Sequence, residues 1–325
     1  MSHPSCLACT HTELSRVYDF GLVAPSRRFL TPELAAEPEP VEPLILYRCA
    51  RCGLLQLAPH KGIEVECDSP ATATDPHAWA ESLRREWRGE DALEWDIPDV
   101  LAFHDQLNCD LIRHETRAYW TVGQLQRLLQ EHGLTLENIR PAPNEPGMLR
   151  VSITREGRPP RPAVAAAIER ETEADLESPR AWDDFALLLD QSRDLLNSEL
   201  DEWQYRNKRL AAYTVSGRGM TTLSLCDACR RFPCLIDECP DMRGLLTPGH
   251  RIPIVGPERL KTERFDVLLL LVPDWDAEGY GIVQEYWRSG GRLLIPAPKP
   301  YYADPPHLDD TVSSKRETAV FADFG

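Results

Sequence analysis

Four cysteines stand in two pairs, Cys6-Leu7-Ala8-Cys9 and Cys49-Ala50-Arg51-Cys52. Two intervening residues are the spacing at which a tight turn aims two thiolates at one tetrahedral metal, and two such pairs complete a four-thiolate site. Zinc is the expected ion, in a structural role, because four cysteine ligands leave no open position for water or substrate. Four free thiols or a redox pair are the competing reading. Gly53, directly after the second pair, suits the positive backbone angle such a turn needs. A second group, Cys226, Cys229, Cys234 and Cys239, has gaps of two, four and four residues. Cys226 ends a predicted helix and Cys234 begins a predicted buried strand, so these read as small apolar core residues, with a second metal site or a disulfide as alternatives. Cys67 and Cys109 carry no spacing signal.

Elements must hold these groups in place. A strand-like run, Leu44 to Tyr47, leads into the second cysteine pair, and the loop before it contains Glu37-Pro38-Glu39-Pro40, a series that belongs on the surface. From Lys61 to Glu94 the chain reads as a polar linker with a charged helix near Ala78 to Arg88. Thr121 is placed to cap a helix whose Val122, Leu125, Leu128 and Leu129 share one face, with Gly133 at its end. Two strands follow, Leu134 to Ile139 and Met148 to Ile153, suited to antiparallel pairing across a proline-rich turn. Pro162 to Asn207 is helical in pattern, broken at Ser178-Pro179, with an apolar face through Phe185, Leu187, Leu188, Leu189, Leu195 and Leu196. In the last third, apolar runs at 211–215, 234–237, 252–255, 267–272 and 292–295 predict a small parallel α/β sheet. Asp274 and Asp276 follow the fourth run, where ligands of open α/β sheets bind. After Pro300 the tail reads as polar and loose.

A chain of 325 residues implies several domains, and a hydrophobic fraction of 42% is ordinary for globular ones. With 36 basic against 52 acidic residues the formal charge is -16, which opposes binding to nucleic acid or to an anionic membrane surface. A basic pocket for an anionic small molecule remains compatible with that balance. No export signal and no apolar run long enough to span a bilayer are read from the sequence, so the cytoplasm is the expected compartment.

These pieces, in this order, resemble the sugar C-methyltransferases of natural-product pathways, which modify nucleotide-linked 4-keto-6-deoxysugars. The likeness rests on the cysteine pairs with Cys49-Ala-Arg-Cys52-Gly53-Leu54-Leu55-Gln56-Leu57, and on Ile112-Arg113-His114-Glu115-Thr116 followed by Tyr119-Trp120. It extends to Ala212-Tyr213-Thr214-Val215-Ser216-Gly217-Arg218-Gly219, to Thr247-Pro248-Gly249-His250-Arg251-Ile252-Pro253-Ile254, and to Gly290-Gly291-Arg292-Leu293-Leu294-Ile295-Pro296. The resemblance implies an α/β protein in six parts. These are a zinc-binding domain (1–66), a linker (67–94), a truncated methyltransferase-like middle domain (95–160), a helical bridge (161–207), a Rossmann-like parallel-sheet domain (208–300) and a flexible tail (301–325).

In that family a methyltransferase domain with a glycine-rich cradle for S-adenosylmethionine stands between the zinc domain and a Tyr-His-Glu-His stretch. Here about fifty residues separate Cys67 from His114 and no cluster of glycines lies among them, so use of S-adenosylmethionine is not expected. The resemblance implies proton removal beside a ketone, with His114 and Glu115 as the catalytic pair, although Thr116 stands where the second histidine is expected and Arg113 where a tyrosine is. Arg113, Tyr119, His250 and the loop Ser216-Gly217-Arg218-Gly219 are the expected substrate-binding residues, the loop because a strand-to-helix turn directs N–H groups and a guanidinium at phosphate. Proton abstraction without methyl transfer leaves epimerisation, isomerisation, elimination or cyclisation of a small keto intermediate, with a nucleotide sugar among the candidate substrates. A non-catalytic binding or scaffold partner, and an active C-methyltransferase with an unrecognised cofactor site, are the alternatives.

Overall fold

The computed structural model describes residues 5–58, 68–87, 92–143, 145–155, 157–214, 217–226, 228–271 and 281–303. Leu14–Val23 (β1) and Glu42–Cys49 (β2) pair antiparallel, with Leu14 opposite Cys49 and Leu22 opposite Pro43. Leu55–Leu57 (β3) returns along β2 after the turn at Cys52 and Gly53. Next along the chain come α1 (Pro76–Glu86), β4 (Leu93–Pro98), α2 (Val100–Gln106) and β5 (Ala118–Tyr119). β5 pairs antiparallel with β3, setting Tyr119 opposite Leu55 and completing a four-stranded sheet in the order β1-β2-β3-β5. The N-terminal unit therefore reaches past the boundary expected at residue 66.

The expected linker is built into the fold. Ala71 and Ala73 are buried, the Ala71 carbonyl accepts from the Arg117 and Ala118 amides at 2.8 and 3.1 Å, and the Trp120 indole donates to the Pro70 carbonyl at 2.7 Å. Small side chains let this backbone approach its neighbour closely enough to exchange hydrogen bonds. Asp75 caps α1 by accepting from the Ala78 amide at 2.9 Å, and Trp79 meets the edge of Trp95.

Thr121 and Gln124 form a reciprocal capping box at the start of α3 (Val122–Glu131), and Gly133 follows its end with φ +64°. β6 (Leu134–Pro141) and β7 (Met148–Arg155) pair antiparallel as expected, and β4 joins the far side of β7, giving the order β4-β7-β6. One face of this sheet presents Ile97, Leu136, Val151 and Ile153 to Leu125, Leu128 and Leu129 of α3. The other face is ionic. Glu94 takes two bonds from Arg140 at 2.7 and 3.0 Å and one from Ser152, and Asp96 takes two from Arg150 at 2.7 and 2.6 Å.

The Arg140 guanidinium holds the Glu94 carboxyl down to about 2 from the ordinary 4.5. A depressed folded-state pKa gives stability that is present above 4.5 and lost as pH falls towards 2. Solvent screening keeps the contribution of so exposed a pair small. Urea unfolding should therefore separate wild type from Glu94→Gln at pH 6 and show the gap closing as the pH is lowered through that window; a gap independent of pH would refute the assignment.

α4 (Pro162–Glu173) and α5 (Pro179–Tyr205) follow, with Ser178 capping α5. The first half of α5 buries Trp182, Phe185 and Leu189 in the core beneath β1 and β2, while Leu196 and Leu200 enter the core of the C-terminal sheet. Of the expected apolar face, Leu187 and Leu195 are exposed instead, because a helix turns about 100° per residue and cannot put 187, 188 and 189 on one side.

The remainder runs β8 (Leu210–Thr214), α6 (Met220–Ser224), α7 (Ala228–Arg231), β9 (Leu235–Asp237), β10 (Ile254–Val255), α8 (Arg259–Thr262), β11 (Val267–Leu270), α9 (Gly281–Arg288), β12 (Arg292–Ile295) and β13 (Tyr301–Tyr302). The sheet order is β10-β9-β8-β11-β12-β13, parallel from β10 to β12. Val267 and Leu269 face one core while Leu268 and Leu270 face another, so the sheet is covered on both sides. β13 pairs antiparallel with β12, so the part of the tail at Tyr301 and Tyr302 is strand; residues 304–325 lie outside the described residues, as do Asp274, Asp276 and Cys67.

Candidate metal centre and active site

The sulfurs of Cys6, Cys9, Cys49 and Cys52 all lie within 4.8 Å of one another, with Cys6 to Cys52 at 3.5 Å and Cys9 to Cys49 at 3.6 Å. Tetrahedral zinc with bonds of about 2.3 Å needs sulfurs about 3.8 Å apart, so the four cysteines fit that ion. Their placement is fixed from several sides. The buried Gln56 accepts from the Leu7 amide at 2.9 Å and donates to the Ser5 carbonyl at 3.2 Å, and Gln124 donates to the Cys52 carbonyl at 3.1 Å. The Arg51 amide points at the Cys49 sulfur from 3.4 Å, and Gly53 makes the turn at φ +74°. His77 donates to the Ala8 carbonyl at 2.5 Å, backed by His132 at 2.9 Å.

The other expected site residues converge where three parts of the chain meet. The stretch from Asp110 to Tyr119 lies between the N-terminal sheet and the carboxyl end of the C-terminal sheet. His114 is buried, with Nε2 3.3 Å from the Glu42 carbonyl at the start of β2. Glu115 accepts from the Ser26 hydroxyl at 3.1 Å and the Arg27 amide at 3.3 Å. Tyr119 is buried, donates to the Leu111 carbonyl at 3.3 Å and accepts from the Arg113 amide at 3.2 Å; burial pushes its phenol well above the usual range.

From the other side, Thr221 donates to the Ile112 carbonyl at 2.8 Å, and Asp110 accepts from the Gly219 amide at 2.7 Å while lying 3.9 Å from the Arg218 guanidinium. Burial pushes the Asp110 carboxyl up, against the pull of Arg113 and Arg218. The Gly217 amide donates to the buried Asp237 at 2.9 Å. The loop amides expected to face phosphate thus already serve two carboxylates of the chain, and the glycines answer to packing. An added Cβ would lie 2.4 Å from the Phe29 ring at Gly217 and 2.4 Å from Leu271 at Gly219. Ser216 lies outside the described residues. His250 is hydrogen-bonded to Ser224 at 3.3 Å, and its neighbour Gly249 donates to Glu39 at 2.9 Å, so the surface loop with Glu39 is docked on the C-terminal domain. Leu30 and Leu246 exchange two backbone bonds beside it.

Residues 143–298 match the family described as the C-methyltransferase C-terminal domain, and residues 6–63 match a zinc binding domain family. In these two segments the chain is similar to C-methyltransferases. It is 26% identical over 211 residues to the C-methyltransferase NovU of Streptomyces niveus, an alignment covering 63% of this chain and 50% of that protein. The chain thus spans about half the length of the relative it matches. Among the described residues, no helix of this C-methyltransferase relative is long and apolar enough to cross a membrane.

Several residues that build the site carry no sequence signal. Ser26 and Glu42 sit far from His114 along the chain, and Asp110 reads as an ordinary loop acid until Gly219 is placed against it. Cys226 and Cys234 are buried apart from any metal cluster among the described residues, Cys239 is half-buried, and the side chain of Cys229 is outside them.

Proposed function

We propose that this C-methyltransferase relative does not use S-adenosylmethionine and performs acid–base chemistry on a small keto intermediate, a nucleotide-linked sugar being the candidate class, at the junction around His114 and Glu115. The observation that carries the reading is a buried histidine beside a carboxylate at the meeting of the two sheets: His114 Nε2 lies 3.3 Å from the Glu42 carbonyl, which orients the ring, and Glu115 follows it in the chain. An oriented imidazole with a neighbouring carboxylate is the pair suited to proton transfer at carbon beside a ketone. The enolate is then reprotonated or collapses internally, giving epimerisation, isomerisation, elimination or cyclisation.

Loss of the cofactor site is supported by the middle sheet. Beyond β4 a doubly wound sheet would need further strands and helices on both faces, whereas the face bearing Glu94, Asp96, Arg140 and Arg150 is ionic. Between Cys67 and His114 the only glycine is Gly89, too few for a backbone cradle. A binding or scaffold role is the second reading, favoured by the engagement of both Glu115 oxygens with Ser26 and Arg27.

Two measurements test the proposal. A nucleotide-linked 4-keto-6-deoxysugar incubated with the protein in heavy water should exchange the proton beside its ketone, followed by NMR, and His114→Ala should slow the exchange by about 10²–10⁴-fold. Binding of that sugar without exchange would select the scaffold reading. Saturable heat on calorimetric titration with S-adenosylmethionine would overturn both and restore a methyltransferase.

A further inference from the structure

A cleft of about 820 Å³ opens by the amino ends of β11 and β12, at the end of the C-terminal sheet opposite the one that meets the His114 junction, and shares no lining residue with that junction. Its walls come from the end of α5, from α8, from the turn into β11 and from the turn between α9 and β12. Five cations line it: Arg206, Lys208, Lys261, Arg264 and Arg292. Two carboxylates line it with them, Glu263 and Asp266, and from outside the lining Glu202 pairs with Arg206 at 2.6 Å and Glu285 with Lys261 at 2.7 Å.

The carboxylates are already committed. Glu263 is taken by Arg209 at 2.6 Å and by Arg259, neither of which lines the cavity, and Asp266 is taken by Lys208 at 3.2 Å and by the Arg209 amide at 2.9 Å. Arg264 and Arg292 make no ion pair among the described residues. The Arg292 guanidinium instead lies over two aromatic faces, 5.3 Å from the Trp203 ring and 5.6 Å from that of Tyr302. That stacking holds its planar donor fork in position without using its hydrogen bonds. Gly291 lets the Tyr286 ring close the wall, since a Cβ there would lie 2.2 Å from it.

The geometry points to this cleft as a binding site for a compact anion carrying two or more phosphate-like groups. Two guanidinium groups with unused donors are suited to bidentate bonds with phosphoryl oxygens. The volume is within the range of small-molecule sites. The chain's net charge of -16 opposes a long polyanion, whereas a compact one can reach Arg264 and Arg292 while the lining carboxylates stay held by Lys208, Arg209 and Arg259. The site does not depend on His114 or on the chemistry proposed for it.

The test is calorimetric titration of the full zinc-loaded chain with inorganic pyrophosphate at low salt, together with the indole N–H resonance of Trp203. Saturable binding that shifts this resonance is expected, with Arg264→Glu weakening affinity about tenfold or more. Arg180→Glu, at an exposed position on α5, should leave it unchanged. Arg264 is exposed, so the fold should survive; Lys261→Glu provides a second variant, and a thermal melt of each checks that it does. Absence of saturable heat, equal affinity in Arg264→Glu, or tighter binding of a poly-glutamate peptide than of pyrophosphate would overturn the assignment.

Discussion

Cys49→Ser is expected to lose the metal and, with it, the fold of the N-terminal sheet. A four-thiolate zinc ion contributes on the order of 10 kcal/mol to a small domain. Whole domains are stable by only about 5–15 kcal/mol, so this one contact decides between folded and unfolded. Cys49 is fully buried at the end of β2, opposite Leu14, and a serine hydroxyl there would be an indifferent ligand placed among apolar neighbours. The consequence should reach the junction, because Glu42 lies on β2 and Ser26 follows β1. Elemental analysis should find one zinc per chain in wild type and less in the variant, and its near-UV circular dichroism should match wild type treated with a strong chelator. An unchanged spectrum and urea midpoint would mean that the metal is dispensable to the fold.

Trp182→Ala should cost about 3–5 kcal/mol. The ring is buried among Phe103, His104 and Phe185, with centroids at 5.6, 5.2 and 5.6 Å, and its indole donates to the Leu176 carbonyl at 2.8 Å. Truncation would open a cavity where α2 and α5 meet and leave that carbonyl without its donor. Leu187→Ala, on the same helix but exposed, should change stability by less than about 0.5 kcal/mol. Urea unfolding of the two variants side by side measures the contrast, and similar midpoints would show that α5 is not anchored through Trp182.

Features encoded locally were legible before the structure. The cysteine pairs, the Thr121 cap, the antiparallel strands at 134–141 and 148–155, and the five parallel strands each depend on residues a few positions apart. What escaped is carried over long separations. Glu171, from α4, accepts the Val122 and Gly123 amides at 2.6 and 3.1 Å, so α3 has a second cap that no local pattern announces. Asp110 on Gly219 and Asp237 on Gly217 are likewise tertiary bonds, and they turn a loop that reads as a phosphate cradle into an internally satisfied turn. Ala118–Tyr119 is too short for its alternation to declare a strand.

That two-residue strand also sets an order of events during synthesis. The sheet carrying the cysteines is complete only when residue 119 has joined β3, so the ribosome must release more than sixty residues beyond Cys52 before the edge of β3 is covered. Until then the nascent chain holds all four thiols and an open strand edge, a combination prone to mispairing with other chains. Early zinc capture would narrow that interval, so production under zinc limitation should be reflected first in aggregation rather than in the properties of the protein that folds.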